Sequence, residues 1–389
     1  MPKARRKILV VTGTRADYGL VRPILVALLR RKEISASLVV TGMHLSSQYG
    51  HTIKEIRADK FRVNGIVPLN PAGGSPDSLA LAVGQGIKGF AQVFRRTRPH
   101  LLLIVGDRPE VFAAATAATF MNLIIAHVHG GDRTRAGMDE AIRHAITKMA
   151  HIHFPATERS ADRLRRMGED PNYIFQTGSP AIDDIYDVSS DFPLALRQKM
   201  GEACFTWKGY VVFLYHPVST APALAGKQAS EILKGLRQLD MPVIYLYPNN
   251  DPGGCHVITA IKKHSAERPD GHVFRTLVRS HYLTLLKNAR VLVGNSSSGI
   301  IDAASFQLPV VNVGSRQNGR ERSCNVVDAE PKAISVQMAL SKVLTDPRWR
   351  RGLRHCRNVY GDGRAGERIA RQLATVRLSP DLLQKQITY

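Results

Sequence analysis

Lys7-Ile8-Leu9-Val10-Val11-Thr12 is a short apolar run that stops at Gly13-Thr14-Arg15-Ala16-Asp17-Tyr18-Gly19, a glycine-bearing turn leading into the helical stretch Leu20–Leu29. Apolar residues at successive rather than alternate positions mark a strand covered on both faces, the usual strand of a parallel sheet. Ser37–Thr41, Leu101–Gly106 and Ile124–His129 read as further buried strands, while Leu79–Phe94 and Val111–Met121 have the length and Ala/Leu content of helices. Strand and helix in alternation predict a doubly wound parallel sheet. The pattern restarts with strands at Tyr210–Tyr215, Pro242–Tyr247, Val291–Gly294 and Pro309–Val313, separated by helical stretches around Glu231–Leu239 and Ile300–Ser305.

The chain of 389 residues, at roughly 150 residues per domain, has room for two or three domains. The expected class is α/β, two Rossmann-like doubly wound domains with an interdomain cleft. A strand ending at Gly178, followed by the Pro-bearing turn Ser179–Asp184, places the boundary at residues 1–184 and 185–389. Tail helices over Arg348–Tyr360 and Ala365–Leu378 are expected to return and brace the first domain. A hydrophobic fraction of 44% with 22% charged residues excludes a disordered or collagen-like chain. Cys204, Cys255, Cys324 and Cys356 lie far apart without a C-x-x-C pair, so neither a zinc ribbon nor a disulfide framework is indicated, and a reducing cytoplasm is the expected location. The basic start is followed by an apolar run too short for a secretion signal, and no uncharged stretch is long enough to span a bilayer.

Charge is the unusual number: 54 Lys+Arg against 32 Asp+Glu gives +22. Such an excess invites a nucleic-acid reading. The charges fall in clusters such as Arg163, Arg165 and Arg166, or Arg348, Arg350, Arg351 and Arg354, with no interleaved aromatic residues and no recognisable nucleic-acid module. Solvated helix faces are the expected explanation, and no specific nucleic-acid or membrane partner is expected. A diffuse positive field still attracts an anionic substrate, more strongly at low salt.

Candidate chemistry gathers at strand ends, where open α/β sheets bind ligands. The turn after the first strand presents free N–H groups to an anion, or is simply a tight strand–helix turn. Val105-Gly106-Asp107-Arg108-Pro109 places a carboxylate and a guanidinium at another strand end; the plainer alternative has Asp107 capping the helix begun by Pro109. The densest segment is His127-Val128-His129-Gly130-Gly131-Asp132, followed by Asp139-Glu140, Arg143-His144, Lys148, His151 and His153. Helical spacing sets Glu140 beside Arg143 or His144. The two H-x-H pairs hint at a metal, but no third ligand follows a known zinc spacing, so no metal site is expected. In the second half, Tyr215-His216-Pro217, Tyr247-Pro248-Asn249 and Gly294-Asn295-Ser296-Ser297-Ser298 each end a strand. Small residues and hydroxyls in the last suit a diphosphate, although a serine there also suits a helix cap. Asp302 is placed to accept from a ribose hydroxyl, and Arg316 and Arg320 to offset phosphate charge.

Taken in order from about residue 7 to 328, Arg15-Ala16-Asp17-Tyr18, Gly106-Asp107-Arg108, His127–Asp132, Asp139–Lys148, His216-Pro217-Val218-Ser219-Thr220, Gly294–Ser297 and Gly314–Glu321 resemble the hydrolysing UDP-N-acetylglucosamine 2-epimerases. The resemblance implies a GT-B arrangement, release of UDP and N-acetylmannosamine for sialic-acid-type sugar synthesis, no redox cofactor or essential metal, and a homo-oligomer, dimer or tetramer. Relatives act on diacetamido-trideoxy sugar nucleotides linked to UDP or GDP, and a glycosyltransferase would share the two-domain plan. It further implies nucleotide-sugar contacts from Arg15, Ala16, Gly19, Arg108, Asn249, Ser296, Ser297, Asp302 and Arg316, and acid–base roles for Asp107, Asp139 and His216. Well-known members carry glutamate where this chain has His129, and their segment before the D-E pair is one residue shorter. Either His129 is itself the base, or Asp132 supplies the carboxylate.

Overall fold

The computed structural model describes residues 5–46, 51–69, 76–134, 138–186, 188–205, 209–218, 221–248 and 252–389. Two compact units emerge, one holding the chain through Arg133 with Met138–Asp184 and Tyr360–Tyr389, the other holding Ile185–Val359. In the first, β1 (Arg6–Thr12), β2 (Ile34–Thr41), β3 (Val63–Val67), β4 (Leu101–Val105), β5 (Ile124–Val128) and β6 (Ile152–Phe154) form one parallel sheet in the order β3-β2-β1-β4-β5-β6. In the second, β7 (Val211–Leu214), β8 (Val243–Leu246), β9 (Gly271–Phe274), β10 (Val291–Gly294), β11 (Val310–Val313) and β12 (Val326–Ala329) repeat it as β12-β11-β10-β7-β8-β9. Each is the Rossmann strand order, and the order reverses between β1 and β4 in one unit and between β7 and β10 in the other. Ligand crevices of such sheets open at that reversal, beyond the carboxyl ends of the strands.

β1, β4, β5, β7, β8, β10 and β11 are buried along nearly their whole length, which is why they read as unbroken apolar runs. β3, β9 and β12, absent from the sequence reading, are edge strands and only partly buried, so their sequences VNGIV, GHVF and VVDA carry no such run. The strand expected to end at Gly178 is reduced to a bridge between His153 and Ile174. The helix expected over Arg348–Tyr360 stops at Leu353, and positive φ at Gly361 and Gly363 keeps the chain non-helical before the next helix begins at Ala365. That helix, Ala365–Thr375, adds Ile369, Ala370 and Leu373 to the first unit's core beside Val21, Ile24 and Leu28. Asp183 caps it by accepting N–H bonds from Ala365 at 2.9 Å and Gly366 at 2.6 Å.

The cysteines depart from expectation. Cys324 and Cys356 are joined in a disulfide, Cα atoms 5.5 Å apart and 32 positions apart in sequence. After Leu353 the chain folds back beside the segment preceding β12, where Val359 N–H donates to Ser323 Oγ at 3.2 Å. Linear spacing does not encode that return. Among the described residues no helix is long and apolar enough to cross a membrane.

Gly294 ends β10 at φ +146°, and a Cβ there would lie 1.9 Å from the Leu214 carbonyl oxygen of β7. Gly294→Ala should therefore destabilise the second unit by at least about 1–3 kcal/mol from backbone strain alone. A lowered Tm is the expected measurement.

Candidate active site

At the reversal of the first sheet, Thr14 caps the helix Arg15–Leu29 through a reciprocal box: Thr14 Oγ1 accepts from Asp17 N–H at 3.2 Å and Asp17 Oδ2 accepts from Thr14 N–H at 3.1 Å. Burial pushes the Asp17 carboxyl up to about 7, with Arg108 opposing the rise. Arg15 is ion-paired with Glu55, Ala16 is exposed in the first helical turn, and Gly19 is buried in the second. Across the reversal, Arg108 and not Asp107 occupies the N-cap of the helix Pro109–Phe120, and it makes no side-chain cap bond. Asp107 stands one residue before that N-cap position, not in it.

It binds Arg143. Arg143 as a whole is 1% exposed; Nη2 donates to Asp107 Oδ2, and Nη1 donates to Glu140 Oε2 at 2.8 Å and to the Asp132 carbonyl oxygen at 3.1 Å. Burial works against the charge of Arg143, but the neighbouring carboxylates of Asp107, Asp132 and Glu140 outweigh it and hold the group protonated. Asp107 and Glu140 remain 20% and 29% exposed, so both carboxylates are reachable from outside the core. The helix that carries Glu140, Met138–Met149, places Asp139 and Glu140 in its first turn, where the dipole favours negative charge. Asp139 is half-buried.

The His129–Asp132 segment is built tightly. His129 sits at φ +65°, uncommon for a side-chain-bearing residue. Nδ1 pairs with Asp132 Oδ2 at 3.0 Å and Nε2 with Ser179 Oγ at 2.9 Å, so both ring nitrogens are engaged. Ser160 Oγ donates to Asp132 Oδ1 at 2.9 Å. Gly131, at φ +77°, could carry no side chain, because a Cβ would fall 2.3 Å from the Ser160 carbonyl oxygen. The remaining histidines are occupied separately: His127 Nε2 lies 2.8 Å from the Gly106 carbonyl oxygen, and His151 Nδ1 accepts from Ile125 N–H at 3.1 Å. Burial lowers His127 to about 3, which leaves its ring neutral. Among the described residues no group of three or more His, Cys, Asp or Glu is arranged to hold a metal ion.

His153 belongs to a different cluster. Its Nε2 lies 2.9 Å from Glu169 Oε2, whose side chain is 0% exposed, and Lys148 Nζ lies 2.9 Å from Glu169 Oε1. Burial alone would raise the Glu169 pKa, but His153, Lys385 and Lys148 together outweigh it and hold the carboxyl at about 2. A carboxyl depressed in the folded state stabilises fully above its ordinary value near 4.5, and that contribution is lost as pH falls towards 2. The Tm difference between wild type and Glu169→Gln should therefore be constant above pH 5 and shrink steadily from pH 4.5 to 2.

In the second unit, the strand ends at the reversal are tied by Asn295. Its Oδ1 accepts from His216 N–H at 2.7 Å and its Nδ2 donates to the His216 carbonyl oxygen at 2.8 Å, clamping the end of β7 to the end of β10. Gln317 Nε2 and Arg316 Nη1 donate to the Asn295 carbonyl oxygen at 2.8 and 3.3 Å, which draws Arg316 to the same turn. Ser296 and Ser298 hydroxyls lie 3.0 Å apart, and Ser298 also meets Tyr282 Oη. Ser297 precedes the one-turn helix Ser298–Ile301 without a side-chain cap bond. Asp302 is buried and held by Arg279 through two bonds of 3.0 and 3.1 Å. Asn249, with Ser219 and Thr220, lies outside the described residues.

The structure thus joins Asp107, Asp132 and Glu140 through Arg143, adds His129 through Asp132, and groups His216, Ser296 and Arg316 around Asn295. Sequence reasoning quoted Arg143, Asn295 and Gln317 within their motifs but gave them no site role, and it did not single out Ser160, Ser179 or Arg279 for the site. Arg143 carried a signal in its i,i+3 spacing from Glu140 and Asn295 in its place at a strand end; Ser160, Ser179 and Arg279 are long-range partners with none.

Residues 26–374 match the profile of the family described as UDP-N-acetylglucosamine 2-epimerase. The chain is 41% identical over 384 residues to the UDP-N,N'-diacetylbacillosamine 2-epimerase (hydrolyzing) of Legionella pneumophila, covering 99% of this chain and 100% of that one. It is 32% identical to the UDP-N-acetylglucosamine 2-epimerase of Neisseria meningitidis serogroup B, over 86% of this chain and 88% of that one. Among solved structures, UDP-GlcNAc 2-epimerase from Neisseria meningitidis bound to UDP-GlcNAc superposes with a TM-score of 0.81 at 17% identity, covering 94% of this chain and 99% of that one. That likeness establishes the fold, the expected GT-B type.

Proposed function

The chain belongs to the UDP-N-acetylglucosamine 2-epimerase family, and from that premise we propose that it is a hydrolysing 2-epimerase of a UDP-linked 2-acetamido sugar. A C2 hydrogen beside an acetamido group is too weakly acidic for simple removal and return. In an α-linked gluco sugar it lies antiparallel to the C1 leaving group, so a base takes the proton while the C1–O bond breaks towards UDP, leaving a 2-acetamidoglycal. Water then adds oxygen at C1, and a proton is delivered to C2 from the opposite face. The free sugar has the manno configuration.

Such a sequence needs carboxylates near C2 and donors on the departing diphosphate. The observation that carries the reading is the Arg143 cluster, which holds Asp107 and Glu140 partly exposed at the carboxyl edge of the first sheet. We assign acid–base work to Asp107, to Asp139 of the D-E pair, to Asp132 and to His216. Asp132, not His129, fills the place of the family glutamate in this reading, since it supplies the carboxylate of the pair. Arg15, Ala16, Gly19, Arg108, Asn249, Ser296, Ser297, Asp302 and Arg316 are assigned to the nucleotide sugar, and the protein to a cytoplasmic homo-oligomer serving sialic-acid-type sugar synthesis without cofactor or metal.

A UDP-2,4-diacetamido-trideoxy sugar is a second substrate reading, supported by the name of the relative that matches end to end at 41% identity. Incubation with each UDP-sugar and no acceptor is expected to release UDP, before and after exhaustive chelation. Strict dependence on an added sugar acceptor would replace hydrolysis with glycosyl transfer, and loss of activity on chelation would introduce a metal.

A further inference from the structure

The helix Met138–Met149 carries Asp139, Glu140 and Arg143 near its start, and beyond the Ala150 N–H shared by Ile146 and Thr147 its last carbonyl groups call for an outside donor. Lys385 supplies one. Its Nζ donates to the carbonyl oxygens of Thr147 at 2.9 Å, Lys148 at 3.0 Å and Ala150 at 2.6 Å, and it contacts the carboxylate of Glu169. An ammonium at a helix carboxyl end also complements the dipole. Glu169 is fixed in turn by His153 and Lys148, and Lys148 Nζ donates to the Met167 carbonyl oxygen at 2.9 Å. The chain beyond Lys385 is anchored by Thr388 N–H on the Gly168 carbonyl oxygen at 3.3 Å. The single side chain of Lys385 therefore ties the finish of this helix to a buried carboxylate and to the turn around Gly168.

We propose that Lys385 is a positioning residue for the reaction: by fixing the carboxyl end of Met138–Met149 it sets the rotation and height of the helix, and with them the placement of Asp139, Glu140 and Arg143. Lys385 is roughly 12 Å along the helix from Asp139, at 1.5 Å per residue, so it acts through the helix and not on the substrate. The inference rests on the function proposed above. Its energetic basis is that a displacement of about 1 Å at reacting groups can cost on the order of 10²-fold in rate.

The test uses the full chain with Lys385→Met, Lys385→Arg, Glu169→Gln and the double variant Lys385→Met/Glu169→Gln, read by amide hydrogen exchange over residues 138–150, by Tm and by steady-state UDP release. Lys385→Met should speed exchange along the helix and lower kcat roughly 10- to 100-fold with KM within about twofold, whereas Lys385→Arg should recover most of the rate. In the double variant no buried carboxylate is left short of a cation, so Tm should recover relative to Lys385→Met while kcat stays low. Recovery of kcat along with Tm, or an unchanged kcat in Lys385→Met, would overturn the positioning role. If the wild type released no UDP from any donor, the proposed reaction would fall, yet unchanged exchange in Lys385→Met would separately overturn the helix tie.

Discussion

Arg143→Met is expected to lower kcat by ~10²–10⁴ and to cost about 3–5 kcal/mol of stability. The reasoning starts from what remains behind. Asp107 and Glu140 lose the cation they share, and the Asp132 carbonyl oxygen loses its donor. Two neighbouring carboxylates that lose their shared cation cannot both stay ionised at no cost, so one takes up a proton more readily as pH falls. The acid limb of the pH–rate profile should therefore move upward in the variant. Lysine keeps the charge but not the fork that reaches two carboxylates and a carbonyl group at once, so Arg143→Lys should recover stability in part and turnover little. Denaturant unfolding and UDP release measured on the same preparations check both halves.

Asp132→Asn should lower turnover by ~10²–10⁴ while leaving UDP affinity within about threefold, a ratio that corresponds to less than 1 kcal/mol. The substitution keeps the size of the side chain and an oxygen for Ser160, but it replaces the charged partner of His129. His129→Gln is expected to be milder, since it retains an amide able to bond Ser179 or Asp132 and leaves the carboxylate in place. A larger loss in His129→Gln than in Asp132→Asn would assign the base to histidine. The comparison is made on kcat, with UDP binding by calorimetry as the control for folding.

Both sheets were readable because their central strands are buried on two faces, and the residues needed for that, Leu9–Val11, Leu101–Val105 and Val291–Val293, are unbroken apolar runs. Edge strands were not readable for the converse reason: β12 needs only one covered face and carries Asp328. Site residues were legible where a glycine or a carboxylate breaks such a run at its end, as at Gly106-Asp107 and Gly294-Asn295. What could not be read was which partner each side chain would choose. Asp107 suits a helix cap equally well in sequence, and only the folded chain brings Arg143 to it from another helix. His153 resembles one half of a metal pair until Glu169, Lys148 and Lys385 surround it. Cys324 and Cys356 meet through a chain return that no spacing rule describes.

Proton NMR of the reaction run in D₂O tests elimination and hydration most directly, with UDP-N-acetylglucosamine and the 2,4-diacetamido-trideoxy donor supplied separately and no acceptor present. The account predicts free UDP together with a manno-configured sugar carrying deuterium at C2. Release of a gluco-configured sugar that keeps its C2 proton, or no UDP from either donor, would contradict it.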